Sequence, residues 1–252
     1  MLARHRQSLI LQAVRSDGSA RVSDLTQQLG VSDMTIRRDL EVLARDGLVE
    51  KVHGGAVLPG SPSAHEVGFE DKLVFECSEK TTIARAAASL VKPGTAIALT
   101  AGTTTFGLAQ CLLDIPGLTI VTNSLRVASL FGNKDGISVV VTGGVRTASE
   151  ALVGPVADLT IRSLHFDTVF LSCNGIDPEV GLTTPNLVEA ETNRTFIKVA
   201  RRVVVLADHT KWGVISLASF ANLSEVDVLV TDDAMSSEAR AVAAEKVREV
   251  LV

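Results

Sequence analysis

From residue 95 onward the chain repeats one pattern, a short run rich in β-branched residues followed by a stretch with helical spacing. The runs are 95–100, 118–122, 137–142, 168–172, 203–207 and 226–231. The helical stretches are 79–91, 103–113, 124–131, 187–201 and 236–250. Strands that return through helices pair in parallel, and a parallel sheet needs helices on both faces. The pattern therefore predicts an α/β, Rossmann-like fold for residues 76–252. In such sheets ligands gather beyond the carboxyl ends of the strands.

The first 58 residues follow another rule. Leu9, Ile10, Ala13 and Val14 recur at helical spacing, as do Val22, Leu25 and Leu29. Gly30 breaks the chain. Ser32 is a good N-cap, because its hydroxyl accepts an orphan amide of the next turn. Val31 before the cap and Ile36 beyond it form a hydrophobic staple. Ile36, Leu40 and Leu43 make one apolar stripe, and Asp46-Gly47 ends that helix. Residues 49–57 alternate loosely around His53-Gly54-Gly55, which reads as a short hairpin. Two short helices and a hairpin match the plan of a winged helix-turn-helix over residues 1–58. Leu58-Pro59-Gly60-Ser61-Pro62-Ser63-Ala64 punctuates the chain, so residues 59–75 are expected to be a linker.

Charge sets a limit on where nucleic acid can bind. The net charge is −5, but residues 1–58 hold eight Lys and Arg against seven Asp and Glu, and the rest holds sixteen against twenty-two. An acidic body repels DNA, so contact must come from a focused basic face on the N-terminal part. With the apolar stripe inward, Met34, Arg38, Glu41 and Arg45 face outward on the second helix, flanked by Thr35 and Arg37. Arginine pairs with guanine edges in two-point fashion or with phosphates, and hydroxyls at a helix start suit phosphate. Ser32, Met34, Thr35, Arg37, Arg38 and Glu41 are the candidate DNA contacts, with Lys51 and His53 on the wing.

The segment Val31-Ser32-Asp33-Met34-Thr35-Ile36-Arg37-Arg38-Asp39-Leu40, with Asp46-Gly47-Leu48 and Val52-His53-Gly54-Gly55-Ala56, resembles the DNA-binding module of the DeoR family of repressors. The resemblance implies operator DNA as a partner.

The strand ends of the larger part carry the second set of candidates. Thr100-Ala101-Gly102-Thr103-Thr104-Thr105 takes an apolar strand through a glycine turn into three hydroxyls and a helix, an arrangement suited to an anion such as phosphate. Asn123-Ser124, Gly143-Gly144, Asn174-Gly175 and Asp208 through Lys211 follow other strands, and Lys80 is a further cation. Together Lys80, Thr100, Gly102, Thr103, Thr104, Thr105, Asn123, Ser124, Gly143, Gly144, Asn174, Gly175, Asp208 and Lys211 outline one polar site. Gly181-Leu182-Thr183-Thr184, Glu189-Ala190-Glu191 and Leu206-Ala207-Asp208 resemble the sensor of the same family, a fold similar to phosphosugar isomerases. The resemblance implies a phosphorylated sugar as effector. Many members carry Asp where this chain has Thr100 and Asn174, so this pocket lacks two carboxylates.

A regulator of sugar metabolism genes, acting as a dimer or tetramer, is the expected function. The competing readings are a phosphosugar isomerase-like enzyme, with Glu150, Glu189, Asp177 and Asp208 as available carboxylates, and a repressor whose larger domain only oligomerises. His5, His53, His65, His165 and His209 show no paired ligand spacing, so neither metal nor cofactor is expected. Cys77, Cys111 and Cys173 lie far apart, as in the reduced thiols of a cytoplasmic protein. The first residues lack the apolar core of a secretion leader, and no run is long enough to span a membrane.

Overall fold

The computed structural model describes residues 3–17, 19–45, 48–52, 55–57, 68–73, 77–132 and 134–252, with backbone alone at 15–17, 19, 52, 57, 70, 71 and 77. Asp46-Gly47, His53-Gly54 and most of the expected 59–75 linker lie outside the described residues. The chain divides into two compact units, Met1–His65 and Glu66–Val252.

The smaller unit has helices α1 (Ala3–Asp17), α2 (Val22–Leu29) and α3 (Asp33–Arg45), with strands β1 (Ser19–Arg21), β2 (Glu50–Val52) and β3 (Gly55–Val57). The strands form an antiparallel sheet in the order β1-β3-β2. Strand β1 is too short to leave a period in the sequence, and it extends the expected hairpin to three strands. Gly30 ends α2 in the left-handed region, at φ 63°, where a Cβ is costly. Ile10 and Val14 of α1, Leu25 of α2, and Ile36, Leu40 and Leu43 of α3 close one apolar core, with Val31 packed against it.

The larger unit opens with two helices, α4 (Phe69–Leu73) and α5 (Cys77–Ala88). There follow β4 (Ala96–Leu99), α6 (Thr103–Cys111), β5 (Thr119–Thr122), α7 (Leu125–Phe131), β6 (Ser138–Val141), β7 (Val145–Arg146), β8 (Leu152–Val153) and α8 (Pro155–Arg162). The chain continues through β9 (Phe166–Ser172), β10 (Gly175–Asp177), β11 (Gly181–Thr184), α9 (Leu187–Val199) and β12 (Ala200–Leu206). It ends with β13 (Ala218–Ala221), β14 (Val228–Val230), α10 (Ser237–Lys246) and β15 (Glu249–Leu251). Seven strands form one sheet, ordered β15-β14-β12-β9-β4-β5-β6, and every neighbouring pair is parallel.

The sheet is apolar on both sides because its strands alternate between two cores. Ile97, Leu99, Phe170, Val204 and Leu206 pack with α5, α6 and α7. Ala98, Val169, Leu171, Val203 and Val205 pack with α8, α9 and α10. Four features depart from the expected pattern. Residues 249–251 form an edge strand where the spacing predicts helix to 250, because pairing with β14 outweighs the local period. Helix α8 starts with Pro155 in its first turn and was not read from the sequence. A second, antiparallel sheet, β10-β11-β13, is built from strands of three or four residues. Short helix α4 falls inside the segment expected as linker.

The strand order matters for function. From β4 the chain runs outward through β5 and β6, then returns to place β9 on the other side of β4. Order reverses at that point, so a crevice opens between the carboxyl ends of β4 and β9. Among the described residues no helix is long and apolar enough to cross a membrane.

Candidate functional site

In the smaller unit, α3 carries most of the first set of candidates. Ser32 and Thr35 sit at its start, their hydroxyls 2.8 Å apart, and the Thr35 amide donates to Ser32 Oγ at 3.3 Å. Met34, Arg37, Arg38 and Glu41 are exposed on the face opposite the core. Met34 is 63% exposed, an apolar group on the outward face of α3. Arg37 pairs with Asp33 at 2.9 Å. Lys51 on β2 reaches Glu41 at 3.3 Å, so β2 and α3 meet through an ion pair. His53 lies outside the described residues.

One residue of this helix was missed by the sequence reading. Asp39 is only 4% exposed, although charged. It accepts from Arg6 Nε and, at 3.0 Å, from Gln7 Nε2, both on α1. The signal was available, because position 39 falls on the same helical face as Ile36, Leu40 and Leu43. A buried carboxylate held by two donors fixes the roll of α3 about its own axis, and so the direction in which Arg38 points.

In the larger unit, the crevice between β4 and β9 gathers most of the second set of candidates. The sheet ladder continues past β4, where the Thr100 amide donates to Phe170 O at 3.1 Å. Thr100 is 2% exposed and its hydroxyl has no hydrogen-bond partner. Gly102 starts α6, and a Cβ there would overlap the Ser172 hydroxyl, so only glycine lets this turn close against β9. Ser172 Oγ in turn donates to Ala101 O at 3.1 Å. Thr103 and Thr104 are buried in the first turn of α6. Thr105 is buried with them, but its hydroxyl donates to Thr100 O at 2.7 Å and so shapes the turn.

Neighbouring candidates divide into those that shape the crevice and those that face it with charge. Asn123 accepts from the Ala101 amide at 2.9 Å and donates to Leu152 O at 3.2 Å. Ser124 caps α7. A Cβ at Gly144 would press on Val153, and one at Gly175 would overlap Val214 O, so both glycines serve close packing. Gly143 has φ 72°, a left-handed turn after β6. Asp208 accepts from the Thr210 amide at 3.1 Å, which starts the single turn His209–Lys211.

Cations come from three places. Lys72 on α4 donates to Asn174 Oδ1 at 3.2 Å. Lys80 on α5 is buried and donates to Lys72 O at 2.6 Å. Lys211 lies close enough to Cys173 to act on its thiol. Burial pushes that thiol up to about 12, Lys211 opposes the rise and Asp208 adds to it. Cys173 is thus a neutral thiol at working pH, unsuited to act as a nucleophile. Lys72 was not read from the sequence, because nothing in a proline-rich stretch signals a helix brought back over the sheet. Helix α4 is anchored by Phe69, whose ring meets Phe106 edge-on at 5.9 Å.

A second buried hydroxyl without a partner is Thr184 Oγ1, at the end of β11 before α9. Glu189, in the first turn of α9, accepts from Ser149 Oγ at 2.9 Å. Elsewhere, a shallow groove of about 220 Å³ runs beside Arg194, Lys198 and Ser219. Among the described residues none that lines it has a buried polar atom in want of a partner, so the crevice is the better candidate. Among the described residues no cluster of His, Cys, Asp and Glu is arranged to hold a metal.

Residues 6–61 match a family model described as a DeoR-like helix-turn-helix domain. Residues 76–233 match one described as a DeoR C terminal sensor domain. The HTH-type transcriptional regulator GolR of Listeria innocua is 39% identical over 229 residues, which span 90% of this chain and 90% of GolR. The glycerol-3-phosphate regulon repressor of Escherichia coli K12 is 32% identical over 228 residues, again 90% of each. Among solved structures, ribose 5-phosphate isomerase A from Methanocaldococcus jannaschii is similar over 53% of each chain, with 18% identity and a TM-score of 0.40.

Proposed function

Because the chain belongs to the DeoR family of transcriptional regulators, we propose that it represses genes of carbohydrate metabolism under the control of a phosphorylated sugar. The winged unit binds operator DNA, with Arg38 and Met34 directed at base edges and Ser32, Thr35, Arg37 and Lys51 at the backbone. His53 is assigned to the same wing from the sequence. The larger unit senses the effector in the cytoplasm and is a sensor, not an enzyme.

The observation that carries the sensor reading is the Thr100 hydroxyl. It is buried without a partner at the switch point, two residues from the glycine that starts α6. A desolvated hydroxyl without a bond is a standing cost that a ligand removes. The phosphate is assigned to the first turn of α6, at Gly102, Thr103 and Thr104, where free amides and the helix dipole favour an anion. Lys80, Lys72 and Lys211 supply positive charge around it. The neutral amide of Asn174, held by Lys72, faces the sugar with a donor and an acceptor where a carboxylate would offer acceptors only.

A single winged head with little net charge binds weakly, so the working unit is a homo-oligomer whose heads engage neighbouring half-sites. Control requires that the effector favour one arrangement of that oligomer over another. Isothermal titration with phosphorylated sugars tests the site. Thr104→Val is expected to weaken every ligand that binds while sparing DNA affinity. Unchanged ligand affinity in that variant removes the phosphate from the α6 turn.

A further inference from the structure

Glu150 is the one non-glycine residue with positive φ among the described residues, at 66°. Such a conformation is disfavoured for a residue with a Cβ and persists only where the surroundings impose it. Here the tight turn between β7 and β8 imposes it, through the Glu150 amide on Thr147 O at 3.1 Å and the Thr147 amide on Ala151 O at 2.9 Å, and the turn sets the carboxylate against Arg146. Arg146 donates to both carboxylate oxygens of Glu150, Nε to Oε2 at 3.1 Å and Nη2 to Oε1. Arg126, whose guanidinium lies over the Phe69 ring 5.4 Å from its centroid, also acts on the same carboxylate. The Arg146 hydrogen bond holds Glu150 below the usual carboxylate range.

The residues that follow this pair pack beside the strand ends. Ala151 packs with Ala101 and Val153 in one small apolar cluster. The Leu152 amide donates to Asn123 O at 2.7 Å, and Ala151 bridges Ser124. Thus the residue next to Glu150 shares an apolar cluster with the residue next to Thr100. Glu150 itself is largely sheltered, whereas Arg146 is 60% exposed and has room to swing. A carboxylate gripped by one arginine, in a turn bridged to the start of the helix that carries a second, has the form of an internal stand-in for an anionic ligand group.

We propose that Arg146 and Arg126 form a second anion subsite, which Glu150 occupies until an effector with a second anionic group displaces it. The inference rests on the sensor reading above and narrows its effector class. The ligand carries a phosphate for the α6 turn and, at its other end, a second phosphate or a carboxylate. Displacement releases the Glu150 side chain from Arg146 and, through the Ser149 bond to Glu189, acts on the start of α9.

The test is isothermal titration of the full chain with matched pairs of probes. Fructose 6-phosphate is compared with fructose 1,6-bisphosphate, and glycerol 3-phosphate with 3-phosphoglycerate. In at least one pair the doubly anionic member is expected to bind about tenfold tighter or more, the size of one added charged hydrogen bond. Arg146→Gln should erase that advantage and leave the singly anionic member within about twofold. Glu150→Gln, which removes the competing carboxylate, should widen it, and serves as the test by itself if the arginine variant does not fold. The pair that shows the advantage tells a bisphosphate from a phosphorylated acid. Equal affinity within every pair that binds, or an advantage that survives Arg146→Gln, overturns the second subsite and leaves the phosphate site standing. Binding by no probe in any pair overturns the sensor reading itself.

Discussion

Replacing Thr100 with valine should make the resting protein more stable and its response weaker. Thr100 is 2% exposed and its hydroxyl has no partner. Burying a hydroxyl without a bond costs about 1–3 kcal/mol, and valine puts a methyl of similar size in its place. Taking the lower end, Thr100→Val should stabilise the larger unit by about 1 kcal/mol, or roughly 2–4 °C in melting temperature for a domain of this size. The ligand acts in the opposite direction. At a concentration one hundred times its Kd, an effector adds about 2.7 kcal/mol to stability. Losing one hydrogen bond to it weakens binding about tenfold, which removes about 1.3 kcal/mol of that gain. The variant should therefore melt above the wild type alone and at or slightly below it with ligand, a crossing that differential scanning fluorimetry resolves. A variant that melts below the wild type in the absence of ligand would refute the reasoning, because it would mean that the hydroxyl is already bonded in the resting molecule.

Three further outcomes are expected. Arg38→Ala should cost about 1–3 kcal/mol in operator affinity by gel shift with little change in melting, since the side chain is exposed; unchanged affinity would exclude α3 as the reading helix. Asp39→Ala leaves the Arg6 guanidinium, itself 12% exposed, without its acceptor, and should destabilise the winged unit by about 2–4 kcal/mol in urea denaturation; a loss under about 0.5 kcal/mol would reduce the pair to a surface contact. With its thiol raised to about 12, Cys173 is ionised far less than an ordinary thiol at pH 8.5, so iodoacetamide should label the exposed Cys111 well before it; comparable rates would contradict the raised thiol.

The parallel sheet was legible because its strands are buried on both faces and read as near-continuous β-branched runs, as in Val203-Val204-Val205. The helix-turn-helix was legible because Gly30, Ser32 and the stripe from Ile36 to Leu43 each obey a local rule. What escaped the sequence depends on contacts between distant residues. Strand β15 carries a helix-like spacing and becomes a strand only because β14 offers an open edge. Lys72 joins the crevice only because Phe69 docks on Phe106, a contact that no period announces. Asp39 and Pro155 were different, since helical phase marked the first as inward and a proline after glycine marked the second as a helix start.

Within the second set of candidates the sequence named residue types better than roles. Gly102, Thr103 and Thr104 lie in the turn that the motif suggested. Thr105, Asn123 and Gly144, from the same motifs, hold the backbone of that turn and its neighbours. A hydroxyl or amide at a strand end serves a ligand or the loop equally well by composition, and only its hydrogen bonds tell the two apart.

The most direct test of the central claim is fluorescence anisotropy of the full chain on its own promoter DNA, titrated with and without phosphorylated sugars. The account predicts tight binding that one such compound shifts by about tenfold or more, a coupling within the usual range for linked sites. DNA binding that no phosphorylated sugar moves would contradict it, and would leave the larger unit as an oligomerisation domain.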